Sequence, residues 1–410
     1  MTTSEPPSGT GPLQRREARL AWGLLFPTVA VVSAVVLLPL LAIFWISFKP
    51  IGLADLRPPA PVVREALRGS GEEMRVQYRI RNSSQDEALS AVTLGDTLPD
   101  SVTVLRADER CTVEGGRLDC DIGTLEGGGR DEIEIFVTLS GDADTVEEAI
   151  EASLPAITGS GDNILTNLDF TWNNFTRIFS GDEFWSVLGV TVFYTVFGTV
   201  GALVTGLFAA MLLNKEFRGQ GILRGLYLFP YVAPVIAVAF AWVILFDPFS
   251  GSANALLIQM GVTDEAINFF GSRPLALIMV TVFEVWRYFP LSFLFILARM
   301  QSIDTDMYEA ADMDGASPFQ KFWYLSLPQL LGILSVLFLL RFIWTFNKFD
   351  DIFLLTGGNA GTRTLTVNVY EQAFAVSDIG AGAAVAVVIF CCLVLFSFLF
   401  FRYVSQEEGL

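Results

Sequence analysis

Six stretches of this chain are apolar for long enough to demand a bilayer: Leu20 to Phe48, Phe184 to Leu213, Ile222 to Phe246, Pro274 to Leu297, Gln329 to Phe346 and Ile379 to Phe401. A helix needs roughly 20 apolar residues to cross about 30 Å of hydrocarbon, and each run reaches or approaches that length. The first is far longer than the roughly 7–15-residue core of a cleaved signal peptide, so it is read as an uncleaved span. Composition agrees, with 52% of the 410 residues hydrophobic, 17% charged and a mean hydropathy of +0.51. One soluble globule is excluded.

Lys and Arg accumulate in the short cytoplasmic loops of membrane proteins. Counting from a cytoplasmic start, one side receives Arg15, Arg16 and Arg19, then Lys215, Arg218 and Arg224, then Arg299 and Lys321, and finally Arg402. On the other side, Asp247 to Ser272 has none and Asp350 to Asp378 has only Arg363. Both termini are therefore expected in the cytoplasm. The expected division is a cytoplasmic tail over residues 1–19, a first span over 20–48, an outer insertion over 51–160 and the remaining spans over 184–403. The Ser-, Thr-, Pro- and Gly-rich start, Met1 to Leu13, is expected to be disordered.

The outer segment carries much of the acid. The formal net charge is -18, and Ile51 to Leu165 holds 23 Asp and Glu against ten Arg. No Lys occurs between Lys49 and Lys215, and so acidic a surface argues against a nucleic-acid partner. Within the segment, MRVQYRIRN puts Val76, Tyr78 and Ile80 on one face, and DEIEIFVTL does the same with Ile133, Ile135 and Val137; both have the two-residue period of antiparallel strands. Between them stands CTVEGGRLDC. A two-residue turn at Gly115-Gly116 pairs Glu114 with Arg117, Val113 with Leu118, Thr112 with Asp119, and Cys111 with Cys120, at a position where side chains approach closely enough for a disulfide. The pattern from YRIRNSS through LGDTLPDSVTV to CDIGTLEGGGRDEIEIFV resembles the Ig-like β-sandwich repeats of bacterial surface proteins. That resemblance implies an adhesive or spacing module and little chemistry.

Histidine is absent, which removes imidazole metal sites and His-based acid–base catalysis. Neither a metal site nor a catalytic residue is expected. Cys391 and Cys392 lie within an apolar run and read as small buried hydrophobes. The chain lacks G-x-x-x-x-G-K-[ST], the loop that cradles phosphates, and GSGEEMR is too short and wrongly composed to replace it. No cofactor is expected in this chain.

A polar island, YEAADMDGASPFQKFWYLSLPQL, separates two apolar runs on the cytoplasmic side, from Tyr308 to Leu330. Tyr308 to Asp314 can form a turn and a half of helix, Gly315 can end it in the left-handed conformation, and Ser317-Pro318 supplies an N-cap and a first-position proline. Glu309, Asp312 and Asp314 project acid, and Pro328 marks entry into the next span. The spacing Glu309-Ala310-Ala311, three residues, Gly315, nine residues, then Leu325-Ser326-Leu327-Pro328 resembles the EAA loop of binding-protein-dependent ABC importer permeases, here over residues 302–328, with Leu325 where Ile is usual. The resemblance implies docking in a cleft of a separate ATPase subunit, where Glu309 meets a basic residue. Ala310, Ala311, Asp314, Gly315 and Pro328 are its further coupling positions.

The resemblance continues on both sides of the loop. VWRYFPLSFLFILARMQSIDTDMYEAADMDGAS and FIWTFNKFDDIFLLTGGNAGTRTLTVNVYEQAF look like the carbohydrate branch of these permeases, in the manner of the larger maltose-type subunit, from Phe184 to about Tyr403 together with the first helix. It implies a membrane all-α core of six helices with an inserted extramembrane β-sandwich, in the bacterial inner membrane. The implied partners are a second permease subunit, two ATPase subunits holding ATP and Mg, a periplasmic sugar-binding protein and membrane lipid. Gly357-Gly358-Asn359 stands where the family often has Gly-Gly-Pro. Glu284, Trp286, Tyr288 and Leu291 before the loop, and Arg341, Trp344, Thr345 and Lys348 after it, fall where the maltose-type subunit touches sugar. Ionisable groups at bilayer depth cost about 2.5–3.5 kcal/mol each on insertion scales, so they face a cavity or one another. Packing or interfacial anchoring by the tryptophans, and a purely structural Glu284–Arg341 ion pair, are the competing readings of the same residues.

The expected function is a permease subunit, not an enzyme, that forms half of the pathway for an oligosaccharide, disaccharide or polyol and couples to a separate ATPase by alternating access. A permease for amino acids or polyamines shares the loop, but the aromatic lining and FNKFDDIFLLTGG favour carbohydrate. A membrane-anchored adhesin or receptor fits the outer segment and leaves the cytoplasmic loop without a purpose.

Overall fold

The computed structural model describes residues 12–69, 74–85, 87–140 and 142–403. The disorder expected at Met1 to Leu13 therefore falls, up to residue 11, outside the described residues. The chain divides into two compact units, Met1–Asn174 with Val376–Gly380, and Phe175–Ala375 with Ala381–Leu410.

The first unit begins with a helix, Pro12–Val32, that continues through a wide turn at Ser33–Leu37 into Leu38–Ser47. Its most apolar stretch has no buried residue, as suits a helix surrounded by lipid. Eight strands follow: β1 (Pro61–Arg68), β2 (Arg75–Asn82), β3 (Leu89–Thr97), β4 (Val102–Arg106), β5 (Cys111–Glu114), β6 (Arg117–Leu125), β7 (Arg130–Leu139) and β8 (Ala156–Gly161). They form two antiparallel sheets, in the orders β1-β2-β7-β4 and β5-β6-β3-β8. The alternating residues Val76, Tyr78, Ile80, Ile133, Ile135 and Val137 of one sheet meet Val92, Leu94, Leu118 and Cys120 of the other in a single core, joined by Val146 and Ile150 from the helix Ala143–Glu151. Within that core the Tyr78 hydroxyl donates to Asp96 Oδ2 at 2.5 Å, tying sheet to sheet. Burial, and then the Asp96 carboxylate, hold the Tyr78 hydroxyl well above its ordinary pKa, so it remains a donor.

Gly115 and Gly116, at φ 58° and 82°, make the hairpin turn between β5 and β6. The register sets Glu114 opposite Arg117 and Cys111 opposite Cys120, whose sulfurs are bonded. Two strands lie outside the stretch whose alternation is readable. β1 has the composition of a helix, PVVREALR, and β8 is the small, weakly patterned AITGSG; pairing with β2 and β3 decides both, because β preference follows packing more than residue type.

In the second unit, helices Asp182–Leu213, Leu275–Gln301, Pro318–Phe346 and Ile379–Tyr403 are each long and apolar enough to cross a membrane. The run expected as one span from Ile222 to Phe246 is instead two helices, Gln220–Val232 and Val235–Leu245, bent by 90°. The break is at Ala233-Pro234, where proline has no N–H to continue the helix and its ring restricts the residue before it. The chain thus has five such spanning helices among its described residues, or six if the bent pair is one span. Asp182–Leu213 and Leu275–Gln301 approach closely because small residues line the seam: a Cβ on Gly198 would meet Glu284 Cγ at 2.8 Å, and one on Gly206 would meet Ser292 Cβ at 2.7 Å.

Candidate functional site

Two places in the second unit gather the residues that the sequence marks. The first lies between Leu275–Gln301 and Pro318–Phe346. A helix turns about 100° per residue, so Glu284, Arg287, Tyr288 and Leu291 share one face. Opposite them stand Arg341, Trp344, Thr345 and Lys348, and with Tyr231 from the bent pair they enclose a cavity of about 110 Å³ whose lining is Tyr231, Glu284, Tyr288, Leu291, Arg341, Trp344, Thr345 and Lys348.

Glu284 is completely buried and fully engaged. It accepts from Tyr194 Oη at 3.0 Å, from an Arg341 terminal nitrogen at 2.5 Å and from Thr345 Oγ1 at 2.9 Å. Arg341, itself 2% exposed, keeps a free Nε with no partner among the described residues. Its guanidinium carbon sits 4.6 Å from the Tyr288 ring centre, and Lys348 Nζ sits 4.3 Å from it while donating to the Tyr288 hydroxyl. With the Arg287 guanidinium carbon 5.6 Å from the same ring centre and its Nε donating to the Tyr288 hydroxyl at 3.4 Å, three cations surround the tyrosine. Lys348 also lies 3.5 Å from Asp350 and 3.8 Å from Asp351.

Trp286 is elsewhere. Two positions from Glu284, it points to the far side of the helix and packs on Trp242 at 5.5 Å and Phe283 at 6.2 Å between ring centres. Trp344 lines the cavity and is 52% exposed. Tyr231, Tyr194 and Asp351 escape a reading of the sequence; nothing in a span of mixed aromatic and aliphatic residues marks which side faces inward. Arg287 acts locally, donating to the Pro230 and Ala233 carbonyls at 3.2 and 3.1 Å. It thereby satisfies groups freed where the helix pair breaks, and it lies 4.0 Å from Asp351. Burial, and then the neighbouring Glu284 carboxylate, push the Asp351 carboxyl well above the ordinary carboxylate range.

Aromatic faces beside charged donors and acceptors suit a hydroxyl-rich solute. At about 110 Å³ the cavity falls short of the roughly 300–1,000 Å³ typical of small-molecule sites. Among the described residues no cluster of His, Cys, Asp and Glu could hold a metal ion.

The second place is the polar island. Asp304 caps the helix Thr305–Met313 by accepting from the Asp306 N–H, so the helix starts three residues before Tyr308. Asp314 ends it, and Gly315 follows at φ 76°. Ser317 and Gln320 form a reciprocal capping box around Pro318. From Pro318 the helix runs without interruption into the span, through a wide turn at Phe322–Ser326, so Pro328 lies inside a continuous helix. Glu309, Ala310 and Asp314 are exposed and Ala311 is half-buried. Asp312 pairs with Lys321 at 2.5 Å, clamping the two helices together.

The sequence profile of the family "Binding-protein-dependent transport system inner membrane component" matches residues 202–407. The chain is 39% identical over 219 residues to the inner membrane ABC transporter permease protein YcjO of Escherichia coli (strain K12), covering 53% of this chain and 74% of that protein. It is 32% identical over 230 residues to the trehalose/maltose transport system permease protein MalF of Thermococcus litoralis, covering 56% and 77%. It is also 32% identical over 241 residues to the sulfoquinovosyl glycerol transport system permease protein SmoG of Agrobacterium fabrum, covering 58% and 77%. Among solved structures, a bacterial ABC transporter involved in the import of the acidic polysaccharide alginate shares the fold with a TM-score of 0.53 at 17% identity, over 58% of this chain and 86% of that one.

Proposed function

Because the chain belongs to the family of binding-protein-dependent transport system inner membrane components, and is a multi-pass inner-membrane permease subunit, we propose that it forms half of the translocation pathway for a carbohydrate. The observation that carries the cargo assignment is the cavity where Tyr288, Trp344 and Tyr231 stand beside Glu284, Arg341 and Lys348. Aromatic faces can stack on apolar sugar faces, and the unpartnered Arg341 Nε is free to donate to a hydroxyl. The names of two relatives, for trehalose/maltose and for sulfoquinovosyl glycerol, support the same class. A second permease subunit would complete the site, and a periplasmic sugar-binding protein would deliver the cargo.

Energy would come from two ATPase subunits that hold ATP and Mg. The island Thr305–Ser326 would couple them: Glu309 meets a basic residue in the ATPase cleft, and the continuous helix from Pro318 carries the motion into the span that bears Arg341 and Trp344. The termini and this island face the cytoplasm, and the two-sheet unit stands outside as an Ig-like module. Glu309→Lys or Gly315→Pro in the assembled importer should abolish sugar uptake and stimulated ATP hydrolysis while the chain still inserts and assembles. The reversed charge would face the basic cleft, and proline cannot adopt the positive φ of residue 315. Wild-type uptake by both variants would overturn the coupling role, and uptake of amino acids rather than sugars by the wild type would overturn the cargo class.

A further inference from the structure

The outer unit is acidic overall, yet one surface of it is basic. On the outward face of the sheet β1-β2-β7-β4, the register places Arg64 opposite Arg79, Arg68 opposite Arg75 and Arg81 opposite Arg130, and Arg106 lies over the Phe136 ring at 4.7 Å. Seven of the ten arginines between Ile51 and Leu165 thus share one face, with Glu132 and Glu134 the carboxylates of β7 among them. Arg75 is paired with Glu134 at 3.3 Å, but Arg64, Arg79, Arg81 and Arg130 make no ion pair or hydrogen bond among the described residues. Like charges set directly opposite each other across strands destabilise a sheet, and among the described residues only Glu132, opposite Arg79, stands in register with these four arginines as a carboxylate.

The four unpaired arginines line a groove of about 670 Å³ with Val62, Ile80, Asp131 and Glu132. Neither carboxylate answers them: Asp131 is held by Arg110, and Glu132 accepts from the Gln77 amide. The groove lies at the end of the sheet from which both connections to spanning helices depart. The chain enters β1 at Pro61, opposite Asn82 and next to the Arg81–Arg130 pair, and a Cβ on Gly161, where β8 ends, would lie 3.1 Å from Pro59. Only residues 48–60 separate β1 from the helix ending at Ser47, a reach of about 45 Å at most. The linker therefore keeps the groove within reach of the bilayer that anchors the chain. Arginine's planar fork matches phosphate, and the acidic remainder of the unit would be repelled from an anionic surface, which orients the same face toward it.

We propose that this arginine face docks on anionic phospholipid headgroups of the membrane that holds the chain, with Arg64, Arg79, Arg81 and Arg130 contacting lipid phosphate. The full chain would be placed in nanodiscs of phosphatidylcholine alone or doped with phosphatidylglycerol, and arginine modification by phenylglyoxal followed residue by residue by mass spectrometry. The four arginines should react about five-fold more slowly in the anionic nanodiscs, the difference should vanish in high salt, and Arg117 of the β5–β6 hairpin should react equally in both. Arg64→Gln with Arg81→Gln should remove the protection of Arg79 and Arg130, with the two-sheet unit intact by its disulfide and proteolytic resistance. Equal rates in the two nanodiscs would overturn the proposal. Protection by inorganic phosphate in neutral nanodiscs would reassign the groove to a soluble anion, and stronger protection by polyglutamate than by phosphatidylglycerol would reassign it to an acidic protein partner.

Discussion

The two-sheet unit and the helical unit solve opposite solvent problems with the same twenty side chains. In the first, Val76, Ile133 and Ile135 are fully buried and arginines such as Arg79 and Arg81 cover the outside. In the second, Phe197, Phe208, Leu212 and Phe398 are exposed, while Glu284, Arg341, Asp351 and Thr195 are buried. Water drives apolar groups inward in the sheets; lipid exerts no such force between helices, so the bundle is held by close contacts at small residues and by polar groups with nowhere else to go. One unit should therefore lose stability through its core and its cross-link, and the other through its buried charges.

The largest effect should come from Arg341→Ala, which leaves Glu284 buried beside Tyr194 and Thr345 without its cation. Losing one partner of a buried pair costs about 3–5 kcal/mol, visible as a large drop in the melting temperature of the detergent-solubilised chain, with protease resistance of the two-sheet unit retained. Simultaneous collapse of both units would show that they are not independent. Trp286→Ala comes next, at about 3 kcal/mol, because it opens a void against Trp242 and Phe283; sugar affinity in uptake should not change in the surviving importer. Replacing Cys111 and Cys120 by Ser should cost the two-sheet unit about 2.5–3 kcal/mol on the chain-entropy account of a ten-residue loop. Limited proteolysis around β5 and β6 would report it, and unaltered cleavage would mean the sheets do not depend on the cross-link. The smallest stability effect belongs to Trp344→Ala, within about 0.5 kcal/mol at a half-exposed position, yet this variant should raise the sugar concentration for half-maximal uptake. A stability loss with unchanged uptake would make Trp344 a packing residue.

Much of the architecture is legible from residue order. Apolar runs mark spans because hydrocarbon tolerates no unpaired backbone, and the alternation in β2 and β7 marks strands with one face in a core. The turn at Gly315 and the N-cap at Ser317 are local chemistry, readable within a few residues, and the structure adds Gln320 as the second half of the capping box. The cavity is legible in part: Glu284, Tyr288 and Leu291 line it together with Arg341, Trp344, Thr345 and Lys348, whereas Trp286 turns away. Helical spacing separates Trp286 from Glu284, but it does not say which of the two faces inward when both sides of a span are apolar.

Sequence alone determined what depends on neighbours along the chain: the membrane class, the turn and N-cap of the Tyr308 to Leu330 island, the β5–β6 register and the acidity of the segment from Ile51 to Leu165. Tertiary structure decided what depends on rotation and pairing. It broke the Ile222 to Phe246 run at Ala233-Pro234 and gave Arg287 the freed carbonyls. It placed Asp351 beside Arg287 and Lys348, and recruited the helix-like sequence of β1 to a sheet edge. It also brought arginines from three strands onto one face. Each of these outcomes joins residues far apart in sequence whose individual preferences are weak, so only the packed chain, where burial and pairing act together, selects among them.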